Sequence, residues 1–205
     1  MPLSIRHHDG TSASFRAAAF RAIERLPPSF AEALAVHRVT AHTTRRLTDL
    51  YPELRGHRPR GWPESSTWDW VAGLYDPAGR RVVVAEYHEF LSMEQRNTNP
   101  VGILRHELGH AFDSACARLS HSDVFAACHR LGAARAVDRN VEASLEYYLR
   151  ADVSSPFAAQ EETFAELTGI LLGGGGAPDL QETLAETFEE TLDLVRTRIQ
   201  RPARS

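Results

Sequence analysis

The chain has 205 residues, 42% of them hydrophobic and 24% charged, and a formal net charge of −4; that is enough apolar content for one sizeable core and argues against intrinsic disorder. The slightly acidic balance excludes the basic footprint of a nucleic-acid-binding protein, and no apolar run approaches the length that crosses a bilayer. One domain over residues 1–205 is expected, in the cytoplasm or exported without a recognisable signal peptide, because the N-terminal residues lack an apolar signal core.

In chain order, residues 1–35 read as N-terminal helices. Phe15, Ala19, Ile23 and Leu26 recur at helical spacing, and Pro27-Pro28 breaks the run into two short helices. Residues 36–40 are expected as a strand and 44–54 as a further helix, before a loop rich in Gly, Pro and Arg over 55–66. Apolar runs at 70–75 and 81–87 flank Asp76-Pro77-Ala78-Gly79, whose turn residues predict a β-hairpin. Residues 97–100 carry cap and start signals for a helix running through Leu119. Helical periodicity over 122–137, 141–149, 160–172 and 178–199 makes the part from 120 to 205 helical. The glycine run 173–176 follows a helix and lacks the Lys-Ser/Thr of a phosphate loop, so it reads as a C-cap and flexible connector. Cys116 and Cys128 have no Cys-x-x-Cys spacing and read as small apolar residues on helices. The fold class is therefore α+β and mostly helical, with the sheet and a central helix in 36–119.

That central helix carries His106-Glu107-Leu108-Gly109-His110, a His-Glu-x-x-His pattern among the apolar neighbours Val101, Ile103, Leu104, Ala111 and Phe112. Residues four apart lie on nearly one helix face, so both imidazoles can point at one ion without bending the backbone. Zinc suits two neutral imidazoles and a carboxylate, and keeps a fourth position open for chemistry. Glu107, about 100° round the helix from His106, is placed as the general base. Asp113 either orients a ligand imidazole or serves as a solvated or capping residue. One Zn2+ ion and hydrolysis of peptide bonds in a protein or peptide substrate are the chemistry this pattern points to.

A third ligand has to come from elsewhere. Glu162 and Glu166 are four apart on the predicted 160–172 helix, so one can bind zinc while the other hydrogen-bonds a ligand histidine. Glu161, Glu142, Glu146, His121 and His129 compete for the ligand position. A lone histidine such as His88 reads as a surface or satisfied core residue.

His106-Glu-Leu-Gly-His110-Ala-Phe-Asp113 followed by Glu162-Thr-Phe-Ala-Glu166 resembles the gluzincin metallopeptidases, most closely the group formed by the anthrax lethal factor catalytic domain and the Pro-Pro endopeptidases. The resemblance covers about 100 residues, from the hairpin to the 160–172 helix. It implies a zincin-like fold with a small β-sheet above the motif helix, Glu162 as third zinc ligand and Glu166 as its support. It also implies an oxyanion-stabilising Tyr seven residues before the third ligand, where this sequence has Ser155. Tyr147 or Tyr148 can substitute if the connection folds back, and Tyr148 is the one assigned to catalysis; apolar packing on a helix face is the other reading. In such folds a strand above the motif helix pairs with an extended substrate, and strand 81–87 is the candidate edge. The alternative function is a zinc-containing regulatory or binding domain similar to the ImmA/IrrE regulators, with narrow or no proteolytic activity.

Overall fold

A computed structural model describes residues 3–59, 62–150, 155–174 and 177–201. A four-stranded sheet, in the order β1-β2-β4-β3, is made of β1 (Ser4–His7), β2 (Thr40–Thr44), β3 (Gly73–Asp76) and β4 (Arg81–Ala85). β1, β2 and β4 run parallel, and β3 returns antiparallel to β4 through the expected hairpin. The parallel β1–β2 pair needs a crossover. Helices α1 (Ala13–Glu24) and α2 (Pro28–Val36) provide it, split at the two prolines as predicted. A second hairpin joins β5 (Tyr87–Phe90) to β6 (Met93–Arg96).

β4 reads Arg-Val-Val-Val-Ala, a continuous apolar run rather than an alternating one, and it is buried on both faces. Val82 and Val84 face the main core, whereas Val83 and Ala85 join Leu47 on the other side. With β2 and β3 on its two sides, β4 has no free edge, which corrects the expectation that strand 81–87 is the edge. The edge above the motif helix is β3 instead.

The motif helix α4 (Pro100–Ala115) starts as read: Asn99 Oδ1 accepts from Gly102 N at 3.1 Å and Pro100 takes the first turn, where its missing N–H costs nothing. Leu104, Leu108 and Phe112 are buried in the main core with Val82 and Val84 of the sheet, and the Phe112 ring meets Phe30 and Phe164 at ring distances of 4.4 and 6.4 Å. α4 stops four residues before Leu119, where Ala117 and Arg118 turn to φ values of 57° and 55°. Across it packs α7 (Ala158–Leu171), and α5 (Asp123–Asp138), α8 (Pro178–Thr187) and α9 (Glu189–Gln200) pack on α7 and on one another, with the short α6 (Glu146–Leu149) also beside α7.

Other expectations shift for local reasons. The 36–40 strand begins at Thr40 because α2 carries on through Val36. The 44–54 helix shrinks to α3 (Leu47–Leu50) and a 3-10 turn at Pro52–Leu54, since Pro52 ends the α-helical ladder. The 178–199 helix divides at Phe188, whose ring is fully buried and occupies the space that a Gly132 side chain would need. Gly173, at φ 106°, ends α7: Gly174 N bonds Gly169 O and Gly173 N bonds Ile170 O, the paired C-cap bonds that the glycine run predicts. Its last two glycines, 175 and 176, lie outside the described residues. Among the described residues no helix is long and apolar enough to cross a membrane.

Candidate metal centre

α4 and α7 cross where Gly109 leaves α4 without a side chain to hold them apart. A Cβ on Gly109 would come within 2.7 Å of the Ala165 backbone, so the missing side chain lets the two backbones touch. That contact brings the His106-His110 face of α4 against the Glu162-Glu166 face of α7. His106 Nε2 lies 3.2 Å from His110 Nε2 and 3.3 Å from Glu162 Oε2, and His110 Nε2 lies 3.6 Å from the same oxygen. Four tetrahedral ligands at zinc–nitrogen and zinc–oxygen bond lengths sit about 3.3–3.6 Å apart, so the three observed separations match. His106, His110 and Glu162 are also the only metal-ligand cluster among the described residues.

Two further features fit a cation. Glu162 Oε2 is buried between the Nε2 atoms of His106 and His110, at 3.3 and 3.6 Å, a costly place for a carboxylate unless a positive charge sits beside it. His106 Nδ1 is 2.9 Å from Glu166 Oε2; with the carboxylate accepting, the proton sits on Nδ1 and the Nε2 lone pair faces His110 and Glu162. Burial lowers the His106 pKa, but hydrogen bonds to Glu162 and Glu166 override it and hold the value well above the ordinary one. His110 rises for the same reason, chiefly through the charge of Glu162. Burial raises the Glu162 pKa in turn, and the charge of His110 with the hydrogen bonds of both imidazoles leaves it far below the usual carboxylate range. The electrostatics therefore favour positive charge between these three side chains.

Glu107 points the other way round the helix, under β3. Its pKa is raised, first by burial, against the lowering effect of both histidines and of the Tyr75 backbone N–H that hydrogen-bonds it. A Cβ on Gly73 would lie 2.8 Å from Glu107 Oε1 and 2.3 Å from Ile103 Cγ2, so this strand position accepts only glycine without rearrangement. Ala85 N donates to Ala72 O at 2.8 Å, and the antiparallel alternation then turns the backbone groups of Gly73 and Tyr75 away from β4, toward the cleft.

The cleft has two halves, cavities of about 400 and 460 Å³ that share Trp62, Val71, Gly73, His106 and Glu107. One half is walled by Trp70, His88, Asn97, Ile103 and Gly169, the other by Tyr75, Arg118, Tyr147 and Glu161.

The remaining candidates are placed elsewhere. Asp113 is buried and accepts from Ser120 N at 2.9 Å and Ser120 Oγ at 2.5 Å, so it fastens the turn after α4 rather than orienting His110. Glu161 binds Arg118 and His121, at 2.7 and 2.8 Å. His129 Nε2 meets Tyr148 O at 3.0 Å as a satisfied core histidine, and Glu146 pairs with Arg150 on the surface. Glu142 is outside the cluster. Ser155 is buried.

Of the two tyrosines, Tyr148 is buried and packs away from the cleft, and Tyr147 lines it. The Tyr147 pKa is raised strongly, by burial first and then by the charge of and a hydrogen bond to Glu162. Sequence reasoning weighed both tyrosines and assigned catalysis to Tyr148. Neighbours on a helical turn point about 100° apart, and only packing decides which one faces the site. The Tyr75 N–H was missed altogether, although Gly73 inside a strand signals a close approach of backbone.

The fold and site together define an α+β protein in which a sheet covers a His-Glu-x-x-His helix and a crossing helix supplies a carboxylate. No family model matches the sequence and no curated protein sequence matches it significantly. Among solved structures the chain is similar to the Pro-Pro endopeptidase PPEP-2 from Paenibacillus alvei, with a TM-score of 0.61 and 25% sequence identity over 94% of this chain and 96% of that one.

Proposed function

We propose that the protein is a zinc-dependent metallopeptidase that hydrolyses peptide bonds of a protein substrate, with His106, His110 and Glu162 as the zinc ligands. The observation that carries this reading is the set of three ligand atoms 3.2–3.6 Å apart, beside a half-buried Glu107 in a cleft. Likeness to an endopeptidase over nearly the whole of both chains supports it. Zinc in a site of two imidazoles and one carboxylate supplies Lewis acidity, which lowers the pKa of water toward neutrality and polarises an amide carbonyl.

The chain's own groups do the rest. Glu107 takes the proton from the attacking water and returns it to the leaving amine; its raised pKa suits both directions of transfer. Glu166 keeps the His106 proton on Nδ1. Tyr147, whose raised pKa keeps it protonated, donates its O–H to the oxygen that becomes negative as the carbonyl carbon turns tetrahedral. The outward backbone groups along β3 pair with an extended substrate, which gives main-chain recognition with little demand on sequence.

The test is Glu107→Gln. Hydrolysis of casein or of a peptide library is expected to fall about 10²–10⁴-fold, while elemental analysis still finds one zinc per chain. Activity retained in that variant, or a wild-type protein that holds no zinc, overturns the assignment.

A further inference from the structure

A glycine inside an α-helix costs about 1 kcal/mol relative to alanine, so each one in this fold invites a physical reason. Gly109 and Gly132 have theirs: an added Cβ would strike the Ala165 backbone at 2.7 Å or the Phe188 ring at 2.3 Å. Gly169, in the last turn of α7, has neither a clash nor a left-handed backbone. Its added Cβ would make only ordinary contacts, 3.7 Å to His106 N and 3.9 Å to Arg105 C and His106 Cα. Packing and backbone conformation therefore accept alanine there. What the missing side chain leaves is room, and that room opens into the cleft half walled by Trp70, Val71, His88 and Ile103.

We propose that Gly169 is a specificity-determining residue: its missing side chain gives this half of the cleft the depth to take a bulky, uncharged, apolar substrate side chain, such as Phe or Leu. The inference deepens the metallopeptidase reading and rests on it. The chemistry of the wall selects the class of side chain. Trp62, Trp70, Val71 and Ile103 supply apolar contact, which releases water from a matching side chain. The polar groups on the wall are mostly neutral: Asn97, Thr98, Asn99 and Gln181. Asn97 and Asn99 are already occupied, holding Ala85 O and the start of α4. The two carboxylates that reach this half are Glu166, bonded to His106, and Glu107, held by the Tyr75 N–H, and no Lys or Arg lines it among the described residues. The opposite half differs, with Arg118 and Glu161 on its wall. The two sides of the reacting centre thus read different chemistry, and size discrimination falls on the Gly169 side.

The experiment compares wild type with Gly169→Ala and Gly169→Leu by two readouts. The first is the cleavage profile on a peptide library randomised at each position. The second needs no turnover: binding of N-acetyl-phenylalaninamide and N-acetyl-alaninamide, followed through the tryptophan indole NMR signals. A change of one or a few methylenes in such a pocket shifts discrimination by about 10–200-fold. The Phe-to-Ala preference is therefore expected to fall about tenfold in Gly169→Ala and further in Gly169→Leu, with folding and zinc content intact. Identical cleavage profiles and unchanged amide affinities across the three proteins overturn the inference while leaving the hydrolase reading in place. A size-dependent change in amide binding in a protein that cleaves nothing and holds no zinc sinks the hydrolase reading and leaves the pocket assignment standing. A library that reveals a Lys or Arg preference on this side overturns the apolar class.

Discussion

The crossing of α4 and α7 and the sheet beside it build one cleft by different rules. On the helices the candidate metal-binding residues and their support follow from short-range intervals: His106 and His110 four apart, Glu162 and Glu166 four apart, joined by one close contact at Gly109. On the sheet the groups that face the cleft are backbone atoms of β3, and their direction depends on strand order and register, settled by the antiparallel pairing with β4, which β2 covers on its other side. The first kind of site is written in side-chain identities and the second in topology. Substitutions should therefore reach the metal through the helices, and should change acid stability through the sheet.

The largest expected effect falls on Glu162. Glu162→Ala removes the proposed third ligand and is expected to lose stoichiometric zinc in equilibrium dialysis, whereas Glu166→Ala is expected to weaken affinity about 10–100-fold, and Glu161→Ala, which breaks contacts to Arg118 and His121, to leave zinc in place. If Glu161→Ala were the variant that loses zinc, the crossing would be assigned to the wrong carboxylate. Next, Tyr147→Phe is expected to lower kcat about 10²-fold with little change in zinc content. Tyr148→Phe should show its effect in thermal stability, because that residue packs in the core; the reverse pattern would return the catalytic role to Tyr148.

The third prediction belongs to the sheet. His42 on β2 is 5% exposed, and burial first, then the charges of His8, Arg81 and Arg6, lower its pKa to about 4. A base whose folded pKa lies below its unfolded value of about 6.5 binds more protons when unfolded between those limits. Stability is therefore level above pH 6.5, falls as pH drops toward 4 by at most about 3 kcal/mol from this group, and levels off below. Urea unfolding at pH 7 and pH 4.5 checks it: His42→Gln should shrink the difference between the two, and an undiminished difference would place the acid sensitivity elsewhere. The smallest expected effect is on the crossing itself. Gly109→Ala forces a Cβ against the Ala165 backbone, and overpacking of this kind costs about 1–3 kcal/mol. A melting temperature equal to wild type would show that α7 can move aside freely.

Much of the helical part was legible because helix signals are local. The Asn99 cap, Pro100 at the first turn and the apolar stripe of Leu104, Leu108 and Phe112 fixed α4 and the faces of its histidines. The end of α4 was not legible: Ala117 and Arg118 adopt left-handed φ values that neither residue type announces, and the buried bonds from Ser120 to Asp113 hold the turn that follows. The β5–β6 hairpin escaped notice for a comparable reason, since Leu91 and Ser92 occupy positive-φ turn positions where glycine or asparagine is the usual sign.

The residues alone determined the chemistry on offer: two imidazoles one turn apart, a glutamate between them, and a second pair of carboxylates on a later helix, because 3.6 residues per turn converts an interval of four into a shared face. Tertiary structure decided which partners meet. Burial on both faces placed β4 inside the sheet and left β3 as the edge, the backbone contact at Gly109 selected Glu162 over Glu161, and the packing of α6 turned Tyr147 rather than Tyr148 toward the cleft. Those choices depend on contacts between segments far apart in the chain, and no local spacing encodes them.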